Sequence, residues 1–150
     1  MYLDSAIITK LLVREVDSEW FEKNLAGEPL WTSELSLVEV RSAILIKERT
    51  AYISAAERKN AVARFQFMCD TEQVRLHPLN LLAVERAAGL LVSCHPDVAL
   101  RSLDAIHVAT ALLHSRGSLC ATDRKMRAAA QRIGLPCFPE ELSEITQHSN

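Results

Sequence analysis

Asp4, Glu39, Asp104 and Asp123 are carboxylates set inside or against apolar segments, and they are spread over almost the whole chain. Asp104 stands out most. It lies within L-R-S-L-D-A-I-H-V-A-T-A-L-L (100–113), a stretch too apolar to be anything but a largely buried helix. A buried, unpaired carboxylate costs several kcal/mol, so it persists only when paired, protonated or bound to a cation. One such residue can be structural; four, three of them at element ends, point to a shared acidic site that binds metal. Hard oxygen donors of this kind suit Mg²⁺ or Mn²⁺, which favour octahedral oxygen coordination and keep several waters. A metal held this way lowers the pKa of a bound water and neutralises a phosphate oxygen. Two metals about 3.5–4 Å apart hold both the attacking and the leaving oxygen of a phosphodiester.

Each acid also has a plainer reading. Asp4 and Asp123 stand where helix N-caps would. Glu39 could be a surface charge, although Ser42 and Ala43 on its own helical face offer it no cation. Asp104 has Arg101 three residues back as an ion-pair partner. His107, one turn after Asp104, either reaches the site or is a satisfied core histidine.

Other chemistries lack their signatures. No G-x-S-x-G turn supports a nucleophilic serine, and no G-x-x-x-x-G-K loop cradles a phosphate; the chain has only 4 glycines. A phosphoacceptor receiver would need paired acids after the first strand and a lysine after the last, and Ser5-Ala6 after Asp4 excludes a D-x-D phosphatase. Cys69, Cys94, Cys120 and Cys137 are widely spaced with no C-x-x-C pair, so they read as core thiols rather than a zinc site. The formal charge of −2 makes the whole chain no magnet for nucleic acid. Phosphate contacts must therefore come from local cations: Arg124 and Lys125 beside Asp123, with Arg127 and Arg132 on the same helix, and Arg41 and Arg101 near the other acids. With 2 Trp, 2 Tyr and 4 Phe, base stacking is not expected to dominate.

The elements that would position these residues alternate. A strand at 1–3 ends at Asp4, and a helix follows over 6–14 with Ser5 as its cap. A second, amphipathic helix spans 17–25 with Trp20, Phe21 and Leu25 on one face. A strand at 29–32 leads to a helix capped by Ser33 that carries Glu39 in its second turn and fades near Thr50. Ser54 and Glu57 form a capping box for a helix reaching about Cys69. A strand over 74–79 precedes a helix over 81–92. The long apolar helix spans 101–115 and closes at Gly117. A strand over 119–122, a basic helix over 124–132 and a strand over 136–138 complete the order, and the polar tail from about 140 is expected to fray. Strands separated by helices, with no hairpin dipeptides, imply parallel crossovers covered on both faces. The expected fold class is therefore α/β: three layers, with a short parallel central sheet of four to five strands flanked by helices, in a single domain over 1–150. Ligands of open parallel sheets bind beyond the carboxyl ends of the strands. The spacing delivers Asp4 and Asp123 there directly, with Glu39 and Asp104 early in helices on the same side. No apolar run reaches the roughly 18 residues of a membrane span and no signal segment opens the chain, so a soluble cytoplasmic protein with no membrane partner is expected.

The segments M-Y-L-D-S-A (1–6), T-S-E-L-S-L-V-E-V-R-S-A (32–43), L-R-S-L-D-A-I-H-V-A-T-A (100–111) and C-A-T-D-R-K-M (120–126) resemble the PIN-domain ribonucleases. The closest resemblance is to the VapC-type toxins of bacterial toxin–antitoxin pairs. It covers essentially residues 1–138. It implies a PIN-like fold and a metal site of Asp4, Glu39, Asp104 and Asp123 holding Mg²⁺, with Mn²⁺ possible, assisted by the hydroxyl of Thr122 or Ser5. Many members carry Thr where this chain has Ser5, so the hydroxyl is kept. The implied activity is metal-dependent endonucleolytic cleavage of RNA, neutralised by an antitoxin whose tail enters the active-site groove. Asp4 and Asp104 would coordinate metal directly and Asp123 directly or through water. Glu39 would orient or deprotonate the attacking water, or hold a second metal. A homodimer and a larger toxin–antitoxin complex are expected. The faces of Trp20, Phe21 and Leu25 or of Phe65, Phe67 and Met68 serve as interfaces or belong to the core. The alternative is a catalytically inactive PIN-fold module that binds RNA or protein.

Overall fold

Short strands whose successive residues enter two separate cores define the centre of the molecule. The computed structural model describes residues 1–114 and 117–146. Its first strand, β1 (Tyr2–Leu3), turns Tyr2 into one core and Leu3 into another, as successive strand residues must. The remaining elements are α1 (Ser5–Leu12), α2 (Ser18–Leu25), β2 (Leu30–Ser33), α3 (Ser36–Arg49), α4 (Ala55–Asp70), β3 (Val74–His77), α5 (Leu81–Cys94), α6 (Ser102–His114), β4 (Leu119–Cys120), α7 (Arg124–Arg132), β5 (Cys137–Phe138) and α8 (Ser143–Thr146). The five strands form one sheet in the order β3-β2-β1-β4-β5. Every pairing is parallel, with Tyr2 opposite both Trp31 and Leu119. This is the three-layer α/β arrangement that the alternation of elements implies. No helix among the described residues is long and apolar enough to cross a membrane.

Helices α1 to α4 cover the Leu3 face, with Ile7, Ile8, Phe21, Val40, Ile44 and Phe65 packed together. Helices α5 to α7 cover the Tyr2 face. There Ala87, Ala105, Ala109 and Ala130 let helix backbones come close, and Val108, Leu119 and Met126 fill the rest. Because all strands run the same way, their carboxyl ends open on one edge, and β1, β2 and β4 give out there into Asp4, Ser33 and Ala121-Thr122-Asp123.

Local boundaries differ from the expected ones where tertiary context decides. The cap of α1 is Asp4, not Ser5: the extended backbone of Asp4 continues the strand and its side chain accepts the Ile7 N–H, so Ser5 falls inside the helix. Helix α3 starts at Ser36 rather than near Ser33, which moves Glu39 from the second turn to the first. The Ser54–Glu57 capping box forms as expected. The tail is not wholly frayed, since α8 buries Ile145 against the Leu3-face core. Residues 147–150 of that tail and Ser115, the expected last residue of the apolar helix, lie outside the described residues. Trp20, Phe21, Leu25, Phe65 and Met68 are core, whereas Phe67 is 57% exposed.

Arg127 also leaves the basic patch to which its sequence position assigned it. It is buried, and its guanidinium donates to the carbonyls of Ala121 (3.1 Å), Pro139 (2.8 Å) and Glu140 (2.8 Å), tying the exit of β4 to the exit of β5. Arg127→Met, which keeps the apolar stem but orphans three carbonyls, is expected to destabilise the fold by about 3 kcal/mol. Urea unfolding at constant m-value measures this, and a loss under about 1 kcal/mol would contradict the bridging role.

Candidate active site

Two of the four acids are delivered by strand ends and double as helix caps. Asp4 follows β1, and its own N–H donates to the Cys120 carbonyl at 3.1 Å, extending the ladder one residue past the strand. Its Oδ1 accepts the Ile7 N–H at 2.8 Å. Asp123 follows β4, and its Oδ1 accepts the N–H groups of Lys125 (2.8 Å) and Met126 (2.9 Å) at the start of α7. In neither residue does Oδ2 make a hydrogen bond among the described residues. Asp4 is only 3% exposed whereas Asp123 is exposed.

Burial pushes the Asp4 carboxyl up from its ordinary 3.8 to about 6. The Ile7 N–H and nearby His107 oppose that shift, and the charges of Glu39 and Asp104 reinforce it. Asp104, in the first turn of α6, is also raised, first by burial and next by the charge of Asp123; Arg101 and His107 oppose the rise, and Glu39 adds to it. Its Oδ2 is buried without a hydrogen-bond partner among the described residues. The Arg101 pairing considered above does not form as an ion pair. An orphaned buried carboxylate oxygen costs about 1–3 kcal/mol and needs an explanation. At this sheet edge Asp4 feels the charges of Glu39 and Asp104, and Asp104 those of Asp123 and Glu39.

Glu39 is treated differently. Its Oε2 accepts the Ser5 hydroxyl at 2.7 Å and lies 2.6 Å from Nε2 of His107. Burial works against its charged form, but the hydrogen bonds from His107 and Ser5 outweigh this and hold the carboxyl below the usual carboxylate range. His107 is buried, and its Nδ1 lies 2.9 Å from the Tyr2 hydroxyl. Behind Ser5, the hydroxyls of Ser36 and Thr32 continue the network to the Leu3 carbonyl. Sequence reasoning left His107 undecided between core and site; it is buried and also part of the site. Tyr2, Ser36 and Thr32 were missed, because each looks like an ordinary strand or cap residue until its partner, up to 105 residues away, is in place.

A cavity of about 460 Å³ opens beside this network, and Ser5, Glu39, Thr122, Lys10 and Lys47 are among its lining residues. Those lysines are tied to Glu15, and Lys10 also to Asp17, at 2.7–2.9 Å. Of the expected phosphate-contact residues, Arg124 and Lys125 are exposed beside Asp123 and make no ion pair among the described residues. Arg101 is exposed near Asp104. Arg41 turns away from the acids: it donates to the Leu37 carbonyl and Gln66, and its guanidinium lies over the Phe65 ring. Arg132 pairs with Asp97 at 2.9 Å.

The donor set fits a hard divalent cation: all-oxygen, mutually repelling, with the Oδ2 atoms of Asp4, Asp104 and Asp123 uncommitted. As the side chains stand, no three His, Cys, Asp or Glu groups among the described residues are gathered tightly enough to hold a metal. The acids share a field rather than a coordination sphere, as uncompensated like charges should.

The sequence model of the PIN domain matches residues 1–132 of this chain. The chain is 35% identical over 138 residues to Ribonuclease VapC46 of Mycobacterium tuberculosis, covering 90% of this chain and 93% of that relative. It is 30% identical over 146 residues to both Ribonuclease VapC45 and Ribonuclease VapC49 of the same species, covering 95% of this chain and 96% of each relative.

The raised Asp4 carboxyl makes stability depend on pH. Between its ordinary 3.8 and about 6 the native state holds a proton that the unfolded chain has released. The Asp4 contribution therefore falls as pH rises through that window, by on the order of 2 kcal/mol. Asp4→Asn keeps a cap acceptor but cannot titrate, so it is expected to gain on the wild type above pH 6. Urea unfolding of both chelator-treated proteins between pH 4 and 7 tests this, and parallel profiles would refute it.

Proposed function

The chain belongs to the PIN-domain family, among its VapC-type members, and from that membership we propose that it is a metal-dependent endoribonuclease acting as the toxin of a toxin–antitoxin pair. The observation that carries the reading is Asp104: a half-buried helical carboxylate whose buried Oδ2 has no hydrogen-bond partner among the described residues, within the field of Asp123 and Glu39. A chain that had no cation to bind would gain stability by replacing it. The names of the relatives support ribonuclease activity, and the all-oxygen donor set supports Mg²⁺, with Mn²⁺ as the alternative.

Asp4 and Asp104 would hold the metal directly through their Oδ2 atoms, and Asp123 directly or through water. When bound, the metal supplies an acidified water and a counter-charge for a phosphate oxygen. Glu39, the acid kept ionised by its neighbours, orients the attacking water or takes its proton. Ser5 donates to Glu39, and Thr122 lines the same cavity, so the family's assisting hydroxyl falls most naturally to Ser5. Arg124 and Lys125 grip the RNA backbone beside Asp123, with Arg101 near Asp104. Arg41, turned toward α4, is the weakest of the phosphate candidates. We place the protein in the cytoplasm as one domain over 1–150 that pairs with itself and with an antitoxin. Exposed Leu81, Leu82 and Val92 on α5 offer apolar surface for such contacts.

Purified protein incubated with total cellular RNA and Mn²⁺ or Mg²⁺ is expected to produce discrete new 5′ ends, absent with chelator and absent in Asp104→Asn. Metal-induced thermal stabilisation with no new ends would instead favour a binding-only module. Once a substrate is known, Arg124→Ala and Lys125→Ala are each expected to weaken RNA binding and to lower the slope of log K against log salt by about 0.7. An unchanged slope would remove them from the interface.

A further inference from the structure

The Glu39 carboxylate is unlike the other three acids in having one oxygen doubly occupied and the other bare. Oε2 takes the Ser5 hydroxyl and lies 2.6 Å from His107, while Oε1 makes no hydrogen bond among the described residues. Which proton His107 offers follows from its surroundings. The Glu39 carboxylate can only accept, so Nε2, 2.6 Å from its Oε2, carries a hydrogen. The Tyr2 hydroxyl, fully buried, lies 2.9 Å from Nδ1 on the other side of the ring. A neutral imidazole with its hydrogen on Nε2 presents Nδ1 as an acceptor for the Tyr2 O–H. The Tyr2 and His107 rings also meet edge-on, at 5.9 Å and 70°, which fixes the ring plane as well as the tautomer.

We propose that His107 is a positioning residue for Glu39: clamped from behind by the Tyr2 hydroxyl, it fixes Oε2 so that Oε1 alone is presented to the reacting centre. The inference rests on the ribonuclease reading of this site and adds to it two residues, His107 and Tyr2, that touch neither RNA nor metal. The clamp has a geometric logic. Tyr2 sits two residues before Asp4 on β1, Ser5 immediately after Asp4, and His107 one helical turn after Asp104 on α6. Glu39 arrives on α3 from the other side of the sheet. Its hydrogen bonds therefore lock the carboxylate from α3 to the two elements that carry Asp4 and Asp104, and a shift of either would be felt at Oε2. A histidine serving only as filling in an alanine-rich core has no need of a carboxylate at 2.6 Å.

Two measurements test the clamp. In the metal-free protein, long-range ¹H–¹⁵N correlation spectra are expected to show His107 with its hydrogen on Nε2; a hydrogen on Nδ1 alone would overturn the proposal. With Mn²⁺ and a fluorogenic RNA, His107→Asn is expected to lose roughly 10–100-fold in kcat at unchanged KM, as outer-shell changes do. His107→Gln, whose amide nitrogen can occupy the place of Nε2, is expected to recover most of that loss. Tyr2→Phe, which keeps the ring and packing, is expected to lose about tenfold by the same route without a drop in melting temperature. Equal losses in His107→Asn and His107→Gln, or a Tyr2→Phe variant as fast as the wild type, would overturn the proposal. A wild-type protein that does not cut RNA would instead strike at the ribonuclease reading, and the tautomer would then decide the clamp by itself.

Discussion

Like charge gathered at one edge of a parallel sheet is the constraint on which the rest of this structure turns. Parallel strands must all exit on the same side, so any acid placed after a strand or early in the following helix is brought toward its counterparts whether or not a cation is there. Asp4, Glu39, Asp104 and Asp123 come from four separate elements, and burial of the first removes the water that would otherwise screen them.

The protein meets this cost in two ways. Glu39 is kept charged by two donors on one oxygen, whereas Asp4 and Asp104 are left to rise toward protonation. The result is an ordered set of acids: Glu39 held toward its ionised form, and Asp4 and Asp104 pushed toward their neutral forms. Burial of this kind would be a defect in a purely structural protein; on the metal-dependent reading, cation binding and folding would reinforce each other.

How far this was legible in the sequence follows from the range of each interaction. Asp104 could be singled out because its oddity is local: a carboxylate in an apolar helix is visible within a dozen residues. The alternation of strand and helix was equally local, and gave the parallel sheet and its site edge. The choice of cap at α1 failed at the scale of one residue. Ser5 and Asp4 both suit an N-cap, and only the extended conformation that the ladder to Cys120 imposes on Asp4 decides between them. Arg127 and His107 were beyond the reach of pattern. The first reads as part of a basic helix until the β5 exit supplies two carbonyls, and the second as core until Tyr2 and Glu39 close around it.

The two readings weighed for Asp4 and Asp123, cap or ligand, turn out not to compete. A carboxylate has two oxygens, and an N-cap uses one. In both residues Oδ1 is committed to backbone N–H groups at a helix start and Oδ2 is not. Capping therefore fixes the side-chain torsion of the very group whose second oxygen the proposed metal would meet, and it does so with hydrogen bonds that the helix needs anyway. Glu39 follows the same rule with side-chain donors in place of backbone ones. In each of these three acids one oxygen is held by the fold and the other is left available. Asp104 is the one whose buried Oδ2 finds no hydrogen-bond partner among the described residues, and that would make it the group with most to gain from a bound metal.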